Sequence, residues 1–164
     1  MERGVALAGF MGIGKSTVGA ALAPRLGLRF VDLDERIEAE AGCSVSEIFA
    51  REGEPGFRAR EARAVQALSE GPPIVLALGG GTLHHLDNLT VLQRGFHVVS
   101  LVAPLEEIRD RVGTSDAVRP LWADAASRYA ERAEGYRRAD AVADVSGLDV
   151  DGALRAVLEV LPCE

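Results

Sequence analysis

An α/β fold with a parallel sheet is what this 164-residue chain predicts. Three observations carry the prediction. Short apolar or β-branched runs alternate with helical patterns from end to end, as strands joined by crossover helices do. The segment Gly9-Phe10-Met11-Gly12-Ile13-Gly14-Lys15-Ser16 matches the phosphate-binding pattern G-x-x-x-x-G-K-[ST], and it stands where that pattern belongs, between a strand candidate and a helix candidate. The length fits one domain, residues 1–164, able to bury roughly 70% of the surface its unfolded chain exposes.

The elements follow in order. Val5 to Ala8 is a continuous apolar run that reads as a buried strand, and Thr17 to Leu26 is an amphipathic helix after the loop. Arg29 to Val31 is a second strand, ending in Asp32-Leu33-Asp34, and helices are expected at Asp34 to Ala41, Val45 to Arg51 and Glu54 to Glu70. Gly71-Pro72-Pro73 connects to the third strand, Ile74 to Leu78, which runs into Gly79-Gly80-Gly81. A helix at Asp87 to Gln93, a strand at Val98 to Val102 and a helix at Leu105 to Val112 come next. Gly113 to Asp124 is polar, carries Arg119-Pro120 and is long for a helix-to-helix connection, so it is a candidate mobile lid. A helix at Ala123 to Arg138, a strand at Ala141 to Val145 and a helix at Gly152 to Leu161 complete the chain, with Ser146 to Asp151 linking the last two.

Composition excludes several classes of function. A net charge of −7 and a pI near 5.0 oppose binding to nucleic acid or anionic lipid, which reward a positive field. Cys43 and Cys163, the only cysteines, lack the spacing of a zinc site or a redox pair. No apolar run approaches the roughly 20 residues that span a bilayer, and no basic-then-apolar leader precedes the first strand. A soluble cytoplasmic protein is expected, and nothing in the sequence demands more than a monomer.

Lys15 is the only lysine; every other basic side chain except the three histidines is an arginine. A compact ammonium kept at this one place suits contact with the β/γ-phosphates of a nucleotide, while loop amides converge on the phosphates and the Ser16 hydroxyl ligates Mg²⁺. Alternation along a strand would aim Asp32 and Asp34 to one side, where one carboxylate serves the metal and the other accepts a proton from an attacking hydroxyl. Asp34 as a simple helix N-cap is the plainer alternative. Many phosphate-loop enzymes end the third strand in a metal-holding aspartate; here three glycines stand instead, which points to close approach of a ligand to the backbone. Arg58, near Phe49 and Phe57 and with Glu61 three residues on, fits a small carboxylate or a solvated helix charge.

Taken together, the phosphate loop, Asp32-x-Asp34, Gly53-Glu54-x-x-Phe57-Arg58, Gly79-Gly80-Gly81, Arg119-Pro120-Leu121 and Arg132-x-x-x-Tyr136-x-x-Ala139 resemble shikimate kinase over Val5 to Leu161. The resemblance implies a P-loop NTPase-type three-layer fold, with a five-stranded parallel sheet in the order 2-3-1-4-5 and helices on both faces. It also implies transfer of the ATP γ-phosphoryl group to the 3-hydroxyl of shikimate, in the chorismate route to aromatic amino acids. Residue by residue, a phosphate loop over 9–17 would cradle ATP through Gly12, Ile13, Gly14, Lys15, Ser16 and Thr17, with Ser16 and Asp32 serving Mg²⁺. A substrate region over about 34–61 would supply Asp34 to activate the shikimate hydroxyl, Arg58 to join Arg132 on its carboxylate, Phe49 and Phe57 to wall the ring, and Glu61 to steady Arg58. Gly79, Gly80 and Gly81 would meet the ring hydroxyls, and Arg119, on a lid over about 113–124, would swing onto ATP and the transferring group. Trp122 departs from the family's usual leucine, Arg111 matches a family arginine near the base only with one residue inserted before Arg119, and His84 and His85, with no transferable role, are expected at the surface.

Overall fold

The computed structural model describes residues 2–85, 87–113 and 124–163. The chain runs β1 (Gly4–Gly9), α1 (Lys15–Leu26), β2 (Arg29–Asp32), α2 (Leu33–Ala41), α3 (Val45–Ser69), β3 (Ile74–Ala77), a 3₁₀ turn (Thr82–His84), α4 (Asn88–Gly95), β4 (Phe96–Val102), α5 (Leu105–Val112), α6 (Ala125–Arg137), β5 (Ala141–Asp144) and α7 (Val150–Val160). Most of the predicted lid, with Arg119 and Trp122, lies outside the described residues.

The five strands pair in parallel in the order β2-β3-β1-β4-β5. Register is set by apolar runs buried on both faces: Val5 lies between Val75 and His97, and Leu7 between Ala77 and Val99. Right-handed crossovers then fix the layers. From β1 the chain moves outward to β2, placing α1 on one face, where α7 packs against it after the return from β5. Moves in the other direction place α3, α4 and α6 on the opposite face, with α4 packed on β4 and α6 on β4 and β5. Connections from β1 and from β3 leave in opposite directions, so a crevice opens between these neighbours at their carboxyl ends. The phosphate loop follows β1 there, and the three glycines follow β3.

Local differences from the sequence expectations have physical causes. The first helix starts at Lys15, two residues earlier than expected, because Gly14 enters it at φ 104°, a conformation a side chain would resist. The two helices expected from Val45 to Glu70 form one element bent at Gly53, whose φ of 69° and ψ of −177° break the helical path. The 3₁₀ turn after the glycines carries no hydrophobic periodicity and was not expected.

Candidate active site

At the mouth of the crevice the phosphate loop presents the end of α1. No side chain caps this N-terminus and no acidic residue occupies its first turn, so its free amides and dipole are available to an anion. Gly12 turns the loop at φ 81°. Ile13 is buried beneath it, while Gly12, Ser16 and Thr17 are exposed. Lys15 is 8% exposed, and its Nζ donates to the carbonyls of Gly9 and Phe10 at 2.7 and 3.1 Å. Burial lowers its pKa from 10.5 to about 8, against the fields of Asp34 and Asp32.

Asp32 and Asp34 are the residues expected, brought together in an unexpected way. The strand ends at Asp32 and the helix begins at Leu33, so strand alternation does not relate the two carboxylates. Asp32 is the N-cap of α2: its Oδ1 accepts from the amides of Asp34 and Glu35 at 3.0 and 3.2 Å. The capping role considered for Asp34 thus belongs to Asp32. The other Asp32 oxygen accepts from Ser16 Oγ at 2.6 Å, so a hydroxyl and a carboxylate oxygen meet at the loop's edge. Two hard oxygens fit Mg²⁺, which takes one or two protein carboxylate ligands and draws the rest from phosphates and water. Among the described residues no cluster of three His, Cys, Asp or Glu forms a closed metal cage.

Asp34, in the first turn of α2, is half-buried, and its Oδ1 is buried without a hydrogen-bond partner among the described residues. Burial first, then the charges of Asp32 and Glu61, raise its pKa from 3.8 to about 6. A proton acceptor still ionised at neutral pH, with an orphaned oxygen, suits a substrate hydroxyl.

The three glycines face the acceptor side of the mouth. None of them has a positive φ, so a turn does not require glycine here; space does. A Cβ at Gly79 would lie 3.1 Å from Thr82 Oγ1 and 3.4 Å from Asp34 Oδ1. At Gly80 it would stand 3.1 Å from Arg132 Nη1 and 3.4 Å from the Met11 amide nitrogen of the phosphate loop. At Gly81 it would meet Arg58 Nη2 at 2.9 Å and Arg132 Nη2 at 3.0 Å. Two guanidiniums from α3 and α6 therefore converge over one glycine, an arrangement of like charges that calls for an anion.

Supports behind this wall are buried. Glu61 is fully buried; its Oε1 receives Arg58 Nη1 at 2.9 Å and its Oε2 receives the Thr82 hydroxyl at 2.9 Å. Asn88 Nδ2 donates to the Thr82 carbonyl at 3.0 Å. Phe57 is buried with Arg58 Cζ 5.1 Å from its ring centroid, and Phe49, 39% exposed, lies 4.8 Å from it at the rim. The Tyr136 hydroxyl donates to the Gly80 carbonyl at 2.7 Å, and burial pushes its pKa up to about 12, so the proton stays.

Sequence reading missed Thr82 altogether and saw Tyr136 only as part of a motif. It also placed His84 at the surface, whereas His84 is half-buried against α6, with Nε2 2.9 Å from the Arg132 carbonyl. His85 is half-buried too, 3.7 Å from Glu54. Arg111 joins three segments: it donates to the carbonyls of Ile13, Val145 and Leu148 and pairs with Glu107 at 2.8 Å. A separate cavity of about 340 Å³ lies under α6, between Ile13, Leu101, Tyr129 and Val142. Lys15, Asp34, Arg58 and Arg132 do not line it, so the chemistry belongs at the glycine wall.

Known proteins resemble this chain in sequence and in fold. The family model for shikimate kinase matches residues 11–161. A shikimate kinase from Geobacter metallireducens is 42% identical over 155 residues, covering 91% of this chain and 86% of the relative. The solved shikimate kinase from Acinetobacter baumannii in complex with shikimate superposes with a TM-score of 0.88 at 32% identity, covering 96% of this chain and 92% of that one. A gluconokinase from Sinorhizobium meliloti, at 16% identity and a TM-score of 0.56, shares the fold.

Proposed function

The chain belongs to the shikimate kinase family, and from that premise we propose how its residues divide the work of phosphoryl transfer. The activity is ATP-dependent phosphorylation of shikimate at its 3-hydroxyl, a step towards the aromatic amino acids. Phosphoryl transfer asks a protein chiefly for in-line positioning and for neutralisation of charge on the phosphoryl oxygens.

In our reading the amides of Gly12 to Thr17 cradle the phosphates. Lys15 releases the Gly9 and Phe10 carbonyls to reach the β/γ-oxygens, which raise its pKa again. Ser16 and Asp32 would hold Mg²⁺, whose charge would offset that of the β/γ-phosphates. Asp34 accepts the proton of the 3-hydroxyl as its oxygen bonds to the γ-phosphorus and the bond from that phosphorus to the ADP oxygen breaks. Arg58 and Arg132 grip the shikimate carboxylate, with Glu61 orienting Arg58. Backbone groups of Gly79, Gly80 and Gly81 meet the ring hydroxyls, and Phe49 and Phe57 wall the ring. Arg119, on the 113–124 segment, completes the charge clamp on the transferring group.

The observation that carries this division is the convergence at Gly80. The phosphate-loop amide of Met11 and the guanidinium of Arg132 both come within 3.4 Å of the place a Cβ of Gly80 would take, and the free Asp34 oxygen lies beside the neighbouring Gly79. Every residue named comes from one chain, so a monomer suffices. Among the described residues no helix is long and apolar enough to cross a membrane; in our reading the enzyme is a single domain and cytoplasmic. A coupled ADP-release assay with shikimate, quinate and gluconate side by side tests the reading. Turnover should require shikimate and Mg²⁺, and equal turnover with gluconate would overturn the carboxylate–hydroxyl pocket described here.

A further inference from the structure

We propose that His84 is a positioning residue for the acceptor pocket: its Nε2–H holds the Arg132 backbone to the turn that follows the glycine wall, and Gly135 exists to admit its ring. The inference deepens the reading that Arg132 grips the substrate carboxylate and rests on it.

The bond has one possible sense. A carbonyl oxygen can only accept, so His84 Nε2, 2.9 Å from the Arg132 carbonyl, carries the hydrogen and donates. The neutral ring then leaves Nδ1 unprotonated, and Nδ1 is buried without a partner among the described residues. A second ring proton would have to enter that unpartnered position in the field of Arg132, His85 and Arg58; burial and these charges hold the ring's pKa below its ordinary value. A neutral, single-tautomer donor is the state the surroundings select.

Gly135 supplies an independent observation. It lies inside α6, where glycine destabilises a helix relative to alanine, and it does not have a positive φ that would require it. A Cβ there would stand 2.1 Å from His84 Nε2 and 2.6 Å from Cδ2, so the helix is notched where the imidazole enters. Next in the chain, Tyr136 packs edge-on against the same ring, with centroids 5.1 Å apart at 88°, and its hydroxyl reaches the Gly80 carbonyl. Two stitches thus tie α6 to the segment after β3, one to Gly80 and one to His84. Between them Arg132 extends its guanidinium over Gly80 and Gly81. A shift of α6 would change the gap between Arg132 and Arg58, and a forked grip on a carboxylate tolerates little of that.

Steady-state kinetics on five variants, each with its thermal melt, test the idea. His84→Ala should raise KM for shikimate about tenfold, or about 1.4 kcal/mol, with kcat and KM for ATP within about twofold of the parent. His84→Gln, whose amide can donate from nearly the same place, should recover most of that loss. Gly135→Ala, which evicts the ring, should match His84→Ala, and the double variant should be no worse than either single one, because both remove the same bond. An unchanged shikimate KM in His84→Ala, a His84→Gln variant as impaired as the alanine, or additive losses in the double variant would each overturn the proposal. Arg132→Ala separates the two layers of inference. If it leaves shikimate KM unchanged, the carboxylate reading fails; if it raises KM while His84→Ala does not, the positioning role alone fails.

Discussion

In the phosphate loop the polar groups come from consecutive residues and are largely main chain, whereas the acceptor pocket gathers side chains from α2, α3, the 3₁₀ turn and α6. The loop has one buried cation, Lys15, satisfied by its own backbone carbonyls. Beside it the pocket holds two arginines, a carboxylate with a free oxygen and a buried carboxylate, Glu61, that supports one of the arginines. The loop is therefore a generic anion receptor whose geometry is locally fixed. In the proposed division specificity belongs to the pocket, where long-range packing decides which guanidinium faces which glycine. Damage to the pocket should therefore distort acceptor use while ATP binding survives, and blocking the loop should do the reverse.

The largest effect should come from Asp34, the proposed proton acceptor. Asp34→Asn should lower kcat by roughly 10²–10⁴-fold, the range for removing a general base, while ATP still binds. Near-normal turnover would reduce Asp34 to a structural carboxylate. Because the acceptor form is the ionised one and its pKa is raised to about 6, kcat/KM of the parent should fall as pH drops through about 6. The stability consequence has the opposite sense. A carboxyl whose folded pKa lies above its unfolded value contributes stability that is full below 3.8 and is lost as pH rises through about 6. Asp34→Asn should therefore melt higher than the parent at pH 7.5, by up to roughly 3 kcal/mol. A variant both less active and less stable would argue against a strained base.

The two regions also differ in how far they could be read from the chain. Strand, loop, lysine, serine and helix stand in one uninterrupted stretch, and each has a residue-type requirement, so the phosphate side was legible almost entirely. In the pocket, Arg58 and Glu61 were legible as neighbours on one helix, and the glycines as a place for close approach. Strand alternation leads to Asp32 and Asp34 as a pair, but the cause of their proximity is a helix cap, since nothing in Val31-Asp32-Leu33 announces where the strand stops. Thr82 and His84 were not legible. Thr82 meets Glu61 across 21 residues and His84 meets the Arg132 carbonyl across 48, separations at which local pattern carries no information. The one available signal was Gly135, a glycine inside a helical pattern, which marks a packing constraint without naming the partner.

A second, somewhat smaller effect should follow from opening the carboxylate grip. Arg58 is held at 2.9 Å by fully buried Glu61, so Arg58→Ala removes the proposed grip on substrate and leaves a buried carboxylate unpaired. The expected loss is roughly 2–5 kcal/mol in kcat/KM for shikimate, the range for truncating one partner of a buried charge pair. KM for ATP should be nearly unchanged. An equal loss for both substrates would mean that the two regions are not separable, contrary to the comparison above.

The smallest effect probes the loop alone. Lys15 is the only lysine, so an amine-reactive reagent has two targets, Lys15 and the chain's α-amino group. With its pKa lowered to about 8, about half of Lys15 is neutral and nucleophilic at pH 8, which compensates for its limited exposure. Phosphates at the loop act twice: they occupy the ammonium's donors, and their negative charge restores its protonated form. At an ATP concentration about ten times its dissociation constant, roughly a tenth of the sites are empty. Peptide mapping should then show labelling of Lys15 reduced about tenfold by Mg-ATP, while the α-amino group reacts as before. Shikimate alone, held by the pocket and not by the loop in the proposed division, should protect Lys15 much less. Unchanged Lys15 labelling under Mg-ATP would detach the lysine from the phosphates, and equal protection by shikimate would dissolve the proposed division between loop and pocket.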